Sequence, residues 1–465
     1  MRITVYGGIG EVGGNKILLE AGESKVFLDF GESFAAKQRY FEDFLQPRKL
    51  NGIGDFLETG VVPWMPGLYR RDLLERAKSQ YQYTEPEYDG VFISHAHLDH
   101  CAHSSFIDER IPIYCSETTK LYLEAMQESS NADMETEMLR YRKEKETVEK
   151  DVRTFRSSDK IEIDNLTVNP IHVDHTVVGA CGFIVDAEGL KIAYTGDMRL
   201  GGPRRDMSED FIERAAGADI LITEGTCLVA EERNREYSFE KGRVQSEEEV
   251  ERRCRERIEG YEGIVLADFS SKDIDRLESF LRIAEECGRD LVIGTKEACM
   301  LKRLSEGEEP NIPRLSDLKV YMKRKKSGTY DDTDYGLWER EYLNGAWTCE
   351  DIKKNDVIML MSLYTINELI DIKPTKGLYI HSRSLPFDDE QDIDFERLQN
   401  WINHFHLEQM HAHTSGHMSK EQLRSVRERI DPKKVIPVHT GFAEGFEDLC
   451  GDRLILPSVG ETIDL

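Results

Sequence analysis

The stretch Ile93-Ser-His95-Ala-His97-Leu-Asp99-His100 constrains this chain more than any other part of it. It follows a short apolar run, residues 90–94, that reads as a buried strand, and it sets four ligand-type side chains where that strand must stop. His95 and His97 are two apart, so in extended backbone both rings point the same way. Asp99 and His100 fall where the chain turns, so they can address a second point a few ångströms away. Imidazoles with a carboxylate are the ligand set that zinc favours. Solvated or core histidines are the alternative, but H-x-H-x-D-H behind a buried strand has little purely structural purpose.

Four ligands do not saturate two metal ions, and three further candidates sit at strand ends: His175 after Asn169-Pro-Ile-His-Val-Asp, Asp197 in Tyr194-Thr-Gly-Asp, and His439 in Ile436-Pro-Val-His. Taken singly each has a competitive structural reading. Together with the first cluster they divide naturally, with His95, His97 and His175 on one zinc, Asp99, His100 and His439 on the other, and Asp197 bridging.

The strand signals around these ligands (Ile3–Gly8, Lys16–Ala21, Lys25–Phe30, Lys160–Val173, Ala180–Asp186, Leu190–Thr195, Asp219–Thr223) mix alternating and all-apolar runs, which predicts a sheet-based core. Phe34–Tyr83 reads as helix and loop, and Ser116–Ser157 as helical from its i,i+4 charge spacing. After Glu224 the texture changes. Helix Ser246–Gly260, strand Gly263–Asp268, helix Asp273–Cys287 and strand Asp290–Gly294, then Val357–Leu363 and Gly377–His381, predict βαβ units and a parallel sheet. Strands like the opening ones return at Lys434–His439 and Arg453–Leu456, so one architecture is inserted in another. At 465 residues two or more domains are expected. The borders read as 1–224, 225–385 and 386–465, the middle piece being the insertion.

The nine cysteines are scattered with no C-x-x-C, which predicts reduced thiols and no cysteine zinc site. No signal-peptide pattern opens the sequence and no apolar run approaches a membrane span, so a cytoplasmic location without membrane attachment is expected. The net charge of −28 argues against nonspecific polyanion binding by the whole surface and counts against a nucleic-acid enzyme. It leaves room for a locally positive groove with metal ions at its centre. The densest basic stretch, Lys319–Lys326, could line such a groove but reads better as a solvated loop.

H-x-H-x-D-H, a lone histidine and an aspartate closing a strand as T-G-D together resemble the metallo-β-lactamase superfamily. The resemblance implies a four-layer αββα fold of class α/β, with Asp29 behind the metal site orienting a ligand histidine. Ile222-Thr-Glu224-Gly-Thr resembles the acidic motif that opens the β-CASP insertion of the superfamily's nucleases, and His413-Thr-Ser-Gly-His417 their next motif. His439 matches the last motif, 22 residues beyond His417, a spacing like that of the ribonuclease J family. The opening Gly7–Asn15 is similar to that family too, and Asp268-Phe-Ser270-Ser271-Lys272 resembles its phosphate-contacting segment. Departures are the long Phe34–Tyr83 excursion, Ser382-Arg-Ser-Leu-Pro-Phe in place of a Pro-Gly-Asn turn, and no further domain after Leu465, which leaves a homodimer open.

The resemblance implies a two-zinc phosphodiesterase, with manganese as the alternative ion, cleaving RNA and favouring single strands. It implies a 5′-to-3′ exoribonuclease with endonucleolytic cleavage as a second mode. Asp99 and Asp197 serve the metals and the chemistry, and His417, held by Glu224, acts as general acid or as phosphate clamp, against the alternative of a core histidine. Ser270 and Ser271 would bind substrate. His413 and Ser415 either contact a neighbouring phosphate or structure their loop. In this group a histidine at the last motif goes with RNA-cleaving members, so His439 leans toward RNA.

Two rival readings stand beside this one. A hydrolase of a small ester, lactone or thioester would share the zinc ligands without needing Glu224, His417 or an inserted domain. A non-catalytic scaffold of an RNA-processing complex would be expected to have lost ligands, and all seven are present. Gly8-Ile-Gly-Glu-Val-Gly13 is a dinucleotide-site decoy, because a strand rather than a helix follows it. His404 and His406 diverge on an apparent helix and make no metal pair. His103, His172, His381 and His411 have no evident partner, although His172 lies close enough in sequence to His175 to approach the metals.

Overall fold

The computed structural model describes residues 1–42, 44–78, 80–143, 145–228, 244, 246–386 and 389–465, without the side chains of 389 and 390. The chain divides into two compact units. The first comprises Met1–Leu200, Arg204–Glu231 and Gly416–Leu465, the second Gly201–Pro203 and Glu232–Ser415.

Two sheets build the first unit. One has seven strands in the order Thr462–Asp464, Arg2–Gly7, Lys16–Ala21, Ser24–Phe30, Gly90–Phe92, Ile113–Ser116 and Val152–Phe155. The other has six, in the order Lys434–Val438, Ile220–Glu224, Leu190–Tyr194, Cys181–Ala187, Leu166–His172 and Ile161–Ile163. The two-residue side-chain period decides what each strand buries. Ile3, Val5, Ile17, Leu19, Val26 and Leu28 of the first sheet share one core with Val168, Phe183, Val185, Ile192, Ile220 and Ile222 of the second. The alternate residues Ile184, Ala193, Leu221 and Val435 face a second core, filled by Phe211 and Ile212 of helix Arg205–Ala215 and by Leu423, Val426 and Ile430 of helix Lys420–Ile430. Ile220–Glu224 is apolar throughout its first half because both of its faces are covered. Helix Glu117–Glu128 packs against strands Ile113–Ser116 and Val152–Phe155, on the first sheet. This is the α/β metallo-β-lactamase architecture.

The chain leaves this unit after Ile220–Glu224 and returns beside it. Lys434–Val438 pairs with that strand in parallel, from Ile220↔Lys434 to Glu224↔Val438. Between them, the second unit is a six-stranded, wholly parallel sheet in the order Lys319–Tyr321, Asp290–Gly294, Val357–Leu360, Ile264–Asp268, Gly377–His381 and Glu408–His411. The helix–strand alternation read from the sequence thus becomes the inserted α/β domain.

Four sequence expectations need revision. Helix is confined to Glu117–Glu128 within Ser116–Ser157. Ser129-Ser-Asn breaks it, and Arg140–Lys143 pairs antiparallel with Glu146–Glu149. There Tyr141 is buried between exposed neighbours, a period of two that the charge spacing obscured. Lys160–Val173 is two strands, Ile161–Ile163 and Leu166–His172, parted by a turn with Asp164 at φ 39°. Arg453–Leu456 is no strand. Thr462–Asp464 is, and it lies antiparallel on Arg2–Thr4. Residues 389–415, read as part of the final domain, pack with the second unit. Helix Asp389–His404 delivers one more parallel strand, Glu408–His411, whose short polar sequence gave no strand signal. Phe387, the last residue of the segment that departs from Pro-Gly-Asn, lies outside the described residues.

Candidate metal centre

Strand Gly90–Phe92 stops against the core, and residues 93–97 run on, with a bend at Ala96, into the one-turn helix Leu98–Cys101. His95 and His97 therefore leave the segment between strand and helix, whereas Asp99 and His100 leave a helical turn. His175 follows strand Leu166–His172, Asp197 follows Leu190–Tyr194, and His439 follows Lys434–Val438. All seven predicted ligands thus stand just past strand ends, and they converge. His97 Nδ1 is 3.0 Å from His95 Nε2 and 3.2 Å from His175 Nε2. His439 Nε2 is 3.1 Å from Asp99 Oδ2. Asp197 Oδ2 sits among them, 3.6 Å from His95 Nε2, 3.8 Å from His175 Nε2, 3.2 Å from His100 Nε2 and 3.6 Å from His439 Nε2.

The donor atoms fall into groups that fit metal ions. His95, His97, His175 and Asp197 form one, and Asp99, His100 and His439 a second. Asp197, His417 and His439 form a third that overlaps both, each group having its ligand atoms within 4.8 Å of one another. Asp197 Oδ1 is buried with no hydrogen-bond partner among the described residues, as a carboxylate reserved for a cation would be. Nitrogen and carboxylate donors in these numbers suit zinc, and a shared carboxylate suits two ions.

The far side of several of these imidazoles is also held. Asp29 accepts from His100 Nδ1 at 2.7 Å, from Ser94 N at 2.7 Å, from Ser94 Oγ at 2.8 Å and from the Tyr194 hydroxyl at 2.6 Å. Asn15 Nδ2 in turn donates to Tyr194 at 2.8 Å, and Asn15 N donates to Asp99 O at 3.1 Å. His175 Nδ1 donates to Gly416 O at 2.7 Å, and His95 Nδ1 meets Ser94 Oγ at 3.0 Å. The glycine-rich opening is a close-approach device: a Cβ on Gly13 would come 2.5 Å from Asp99 Oδ2, and Gly8 O accepts from His439 N at 2.7 Å. Apart from Asp29, sequence reasoning missed these supports. Tyr194 and Asn15 stood inside motifs already quoted, and that proximity was the available signal.

Electrostatics follow from burial and from the crowd of like groups. Burial, with the imidazoles of His100, His175 and His97, holds His95 well below the ordinary histidine range, and burial does the same to His175. Burial opposes charge on His417 too, but the Glu224 and Asp197 carboxylates outweigh it and raise the ring to about 9. His417 Nδ1 is 3.4 Å from Glu224 Oε2 and 3.8 Å from Asp197 Oδ2. Glu224 is itself buried and accepts from Met418 N at 2.9 Å and Thr226 N at 3.0 Å, which aims it at the histidine.

The remaining predicted residues lie in the second unit, at the carboxyl edge of its parallel sheet. Ser270 and Ser271 follow strand Ile264–Asp268 and precede helix Ile274–Glu286, which Asp273 caps. His413 follows Glu408–His411, with Nε2 3.2 Å from Ser384 Oγ and Nδ1 3.3 Å from Ser382 O. Ser415 closes that unit. His381, unpartnered in the sequence reading, is 3.3 Å from Asp268, and its ring lies tilted to that of His411 with centroids 5.7 Å apart. His172 ends its strand opposite Cys181 and His103 lies between Phe56 and Phe106, neither of them in the donor groups found among the described residues. The basic stretch is not a loop throughout: Lys319–Tyr321 is a strand of the second unit's sheet, and Lys319, Arg324 and Lys325 pair with Asp290, Asp371 and Glu339.

The fold is the α/β metallo-β-lactamase fold, with the candidate donors gathered beside its strand ends. Residues 65–256 match the family described as beta-lactamase superfamily domain. The chain is ribonuclease J-like over most of its length. It is 21% identical to ribonuclease J of Helicobacter pylori over 458 residues, covering 94% of this chain and 56% of that protein. It is 20% identical to ribonuclease J of Mycoplasma genitalium over 463 residues, 95% of this chain and 68% of that one. Over 186 residues, 38% of this chain and 23% of the relative, it is 25% identical to cleavage and polyadenylation specificity factor subunit 3 of Dictyostelium discoideum. The chain therefore spans little more than half the length of the first of these relatives. A crystal structure of a protein of unknown function from Enterococcus faecalis has the same fold, with a TM-score of 0.75 and 23% identity, over 100% of this chain and 99% of that one. No described helix is long and apolar enough to cross a membrane.

Proposed function

We propose that this chain is a metal-dependent ribonuclease acting in the cytoplasm on single-stranded RNA, as a 5′-to-3′ exonuclease with endonucleolytic cleavage as a second mode. The observation that carries the reading is the pair His417 and Glu224, 3.4 Å apart beside Asp197. An RNA phosphodiester expels an alkoxide, which needs a proton. Hydrolysis of a small ester or lactone also expels an alkoxide, so the pair by itself marks a site that can protonate its leaving group. The ribonuclease names of the relatives matched across most of the chain support the same reading.

His95, His97 and His175 would hold one ion, Asp99, His100 and His439 the other, with Asp197 between them. Two divalent ions, zinc in this reading and manganese as the substitute, lower the pKa of an attacking water and offset charge on the phosphate oxygens. Glu224 keeps His417 protonated near neutral pH by facing Nδ1, and the ring hands its proton from Nε2 to the departing oxygen. Ser270 and Ser271, in the loop between strand Ile264–Asp268 and the Asp273-capped helix Ile274–Glu286, are the proposed contacts to a phosphate of the substrate. His413 and Ser415 are further candidates for such a contact.

The test uses single-stranded RNA with a 5′-monophosphate, labelled at either end, with wild type, His97→Ala and His417→Ala. Metal-dependent release of mononucleotides from the 5′ end by wild type, lost in both variants, is the expected result. Intact RNA at every divalent metal, with hydrolysis of a chromogenic ester, would replace this reading by the small-molecule hydrolase.

A further inference from the structure

Three of the proposed ligand histidines have an evident acceptor behind the metal-facing nitrogen or at the far side of the ring: Asp29 for His100, Gly416 O for His175 and Ser94 Oγ for His95. His439 is supported differently. Its Nδ1 lies 2.8 Å from Thr226 Oγ1, and the same hydroxyl lies 3.3 Å from His439 O. A neutral imidazole that offers Nε2 to a metal carries its proton on Nδ1, so Nδ1–H must donate. Thr226 Oγ1 accepts that bond and spends its own proton on the His439 carbonyl, which satisfies both groups at once.

The backbone shows why the second bond matters. His439 has φ 52°, in the left-handed region that ordinary side chains avoid. It is held there by His439 N donating to Gly8 O at 2.7 Å, and by Gly225 N and Thr226 Oγ1 donating to His439 O. Thr226 N also donates to Glu224 Oε2, the carboxylate oxygen that faces His417. One residue thus joins the last ligand of the second ion to the pair proposed to protonate the leaving group.

We propose that Thr226 is a positioning residue that fixes the tautomer and the strained backbone of His439 and so sets occupancy of the second metal site. The inference rests on the two-ion reading above, though not on the nature of the substrate. The experiment strips the protein of metal and titrates it with zinc against a chelating dye, for wild type, Thr226→Val and Thr226→Ser, with circular dichroism to compare the folds. Wild type should show two binding constants. Thr226→Val should keep the tighter one and weaken the other by about 10–100-fold. Thr226→Ser, which retains the hydroxyl, should restore it. Two unchanged constants in Thr226→Val, or equal weakening of both, would overturn the proposal. A single constant in wild type would overturn it together with the two-ion centre, and RNA cleavage assayed separately would still judge the ribonuclease reading.

Discussion

Arg199 Nε donates to Asp174 Oδ1 across 3.0 Å, and both side chains are almost wholly buried. Asp174 precedes His175 and Arg199 lies two residues beyond Asp197, so this pair ties together the two loops that carry those ligands. The backbone repeats the tie: Arg199 N donates to Asp174 O at 2.8 Å, and Ser208 Oγ bridges Asp174 N and Arg199 O. Breaking one partner of a buried pair strands the other charge, so Arg199→Leu should destabilise the protein by about 3–5 kcal/mol. Replacing both by leucine should cost less. Urea midpoints for the two variants check this, and equal losses would contradict it.

The first sheet and the metal loop meet without room for a side chain at Gly31. A Cβ there would lie 1.7 Å from Asp99 O and 2.5 Å from His100 N, both backbone atoms. Gly31→Ala should therefore cost about 3 kcal/mol or more by overpacking, and should disturb Asp99 and His100 before the rest of the fold. Thermal unfolding with and without zinc measures both effects, and a variant as stable and as responsive to zinc as wild type would refute the claim.

Tyr194 takes a hydrogen bond from Asn15 and gives one to Asp29. Tyr194→Phe keeps the ring in the core and deletes both. Affinity for the ion held by His100 should fall about 10–100-fold, as for other losses behind a ligand. Zinc competition titration reads it directly.

In the metal-free protein, His417 should give stability a recognisable pH dependence. Its folded value of about 9 lies above the ordinary histidine value of 6.5. Below 6.5 the folded and unfolded chains are both protonated, and the stabilisation is complete. As pH rises toward 9 only the folded state keeps the proton, so stability falls, and above 9 the contribution is gone. Glu224→Gln should remove most of this decline. Denaturant titrations across that window test it, and parallel curves for the two proteins would rule it out.

Ions that bind the folded chain alone stabilise it by mass action. Zinc at a thousandfold its dissociation constant should add about 4 kcal/mol per ion. Asp197 stands between both groups of donors, so Asp197→Ala should abolish the effect of both ions, whereas His97→Ala should spare one. Calorimetric melting with and without chelator distinguishes these outcomes.

How much of this was legible beforehand depended on range. The seven proposed ligands were readable because most of them follow closely on the end of an apolar strand, which survives in sequence as a polar residue after a buried run, with Asp99 and His100 in the helical turn just beyond. Local periodicity also gave most of the two sheets. It failed at Arg140–Glu149, where dense charge at helical spacing outweighed a lone buried Tyr141, and at Glu408–His411, a strand with hardly an apolar residue. The supports behind the ligands were illegible for another reason. Thr226 and His439 are brought together by the pairing of Ile220–Glu224 with Lys434–Val438, and Asp29 and Tyr194 by a side-chain hydrogen bond between strands of two different sheets, and nothing local in any of these residues announces its partner.

The parallel pairing of Ile220–Glu224 with Lys434–Val438 has a consequence for synthesis. Six of the seven proposed ligands precede Glu224, while His417 and His439 wait until the inserted unit has been made. A nascent chain emerging from the ribosome can gather the donors of the first ion early, because segments fold as they appear. It lacks both the proposed acid and the last proposed ligand of the second ion until the insertion has been translated. A ribosome that stalls within the insertion therefore releases a chain that can hold metal and yet is unarmed, which is a useful property in a protein proposed to destroy RNA.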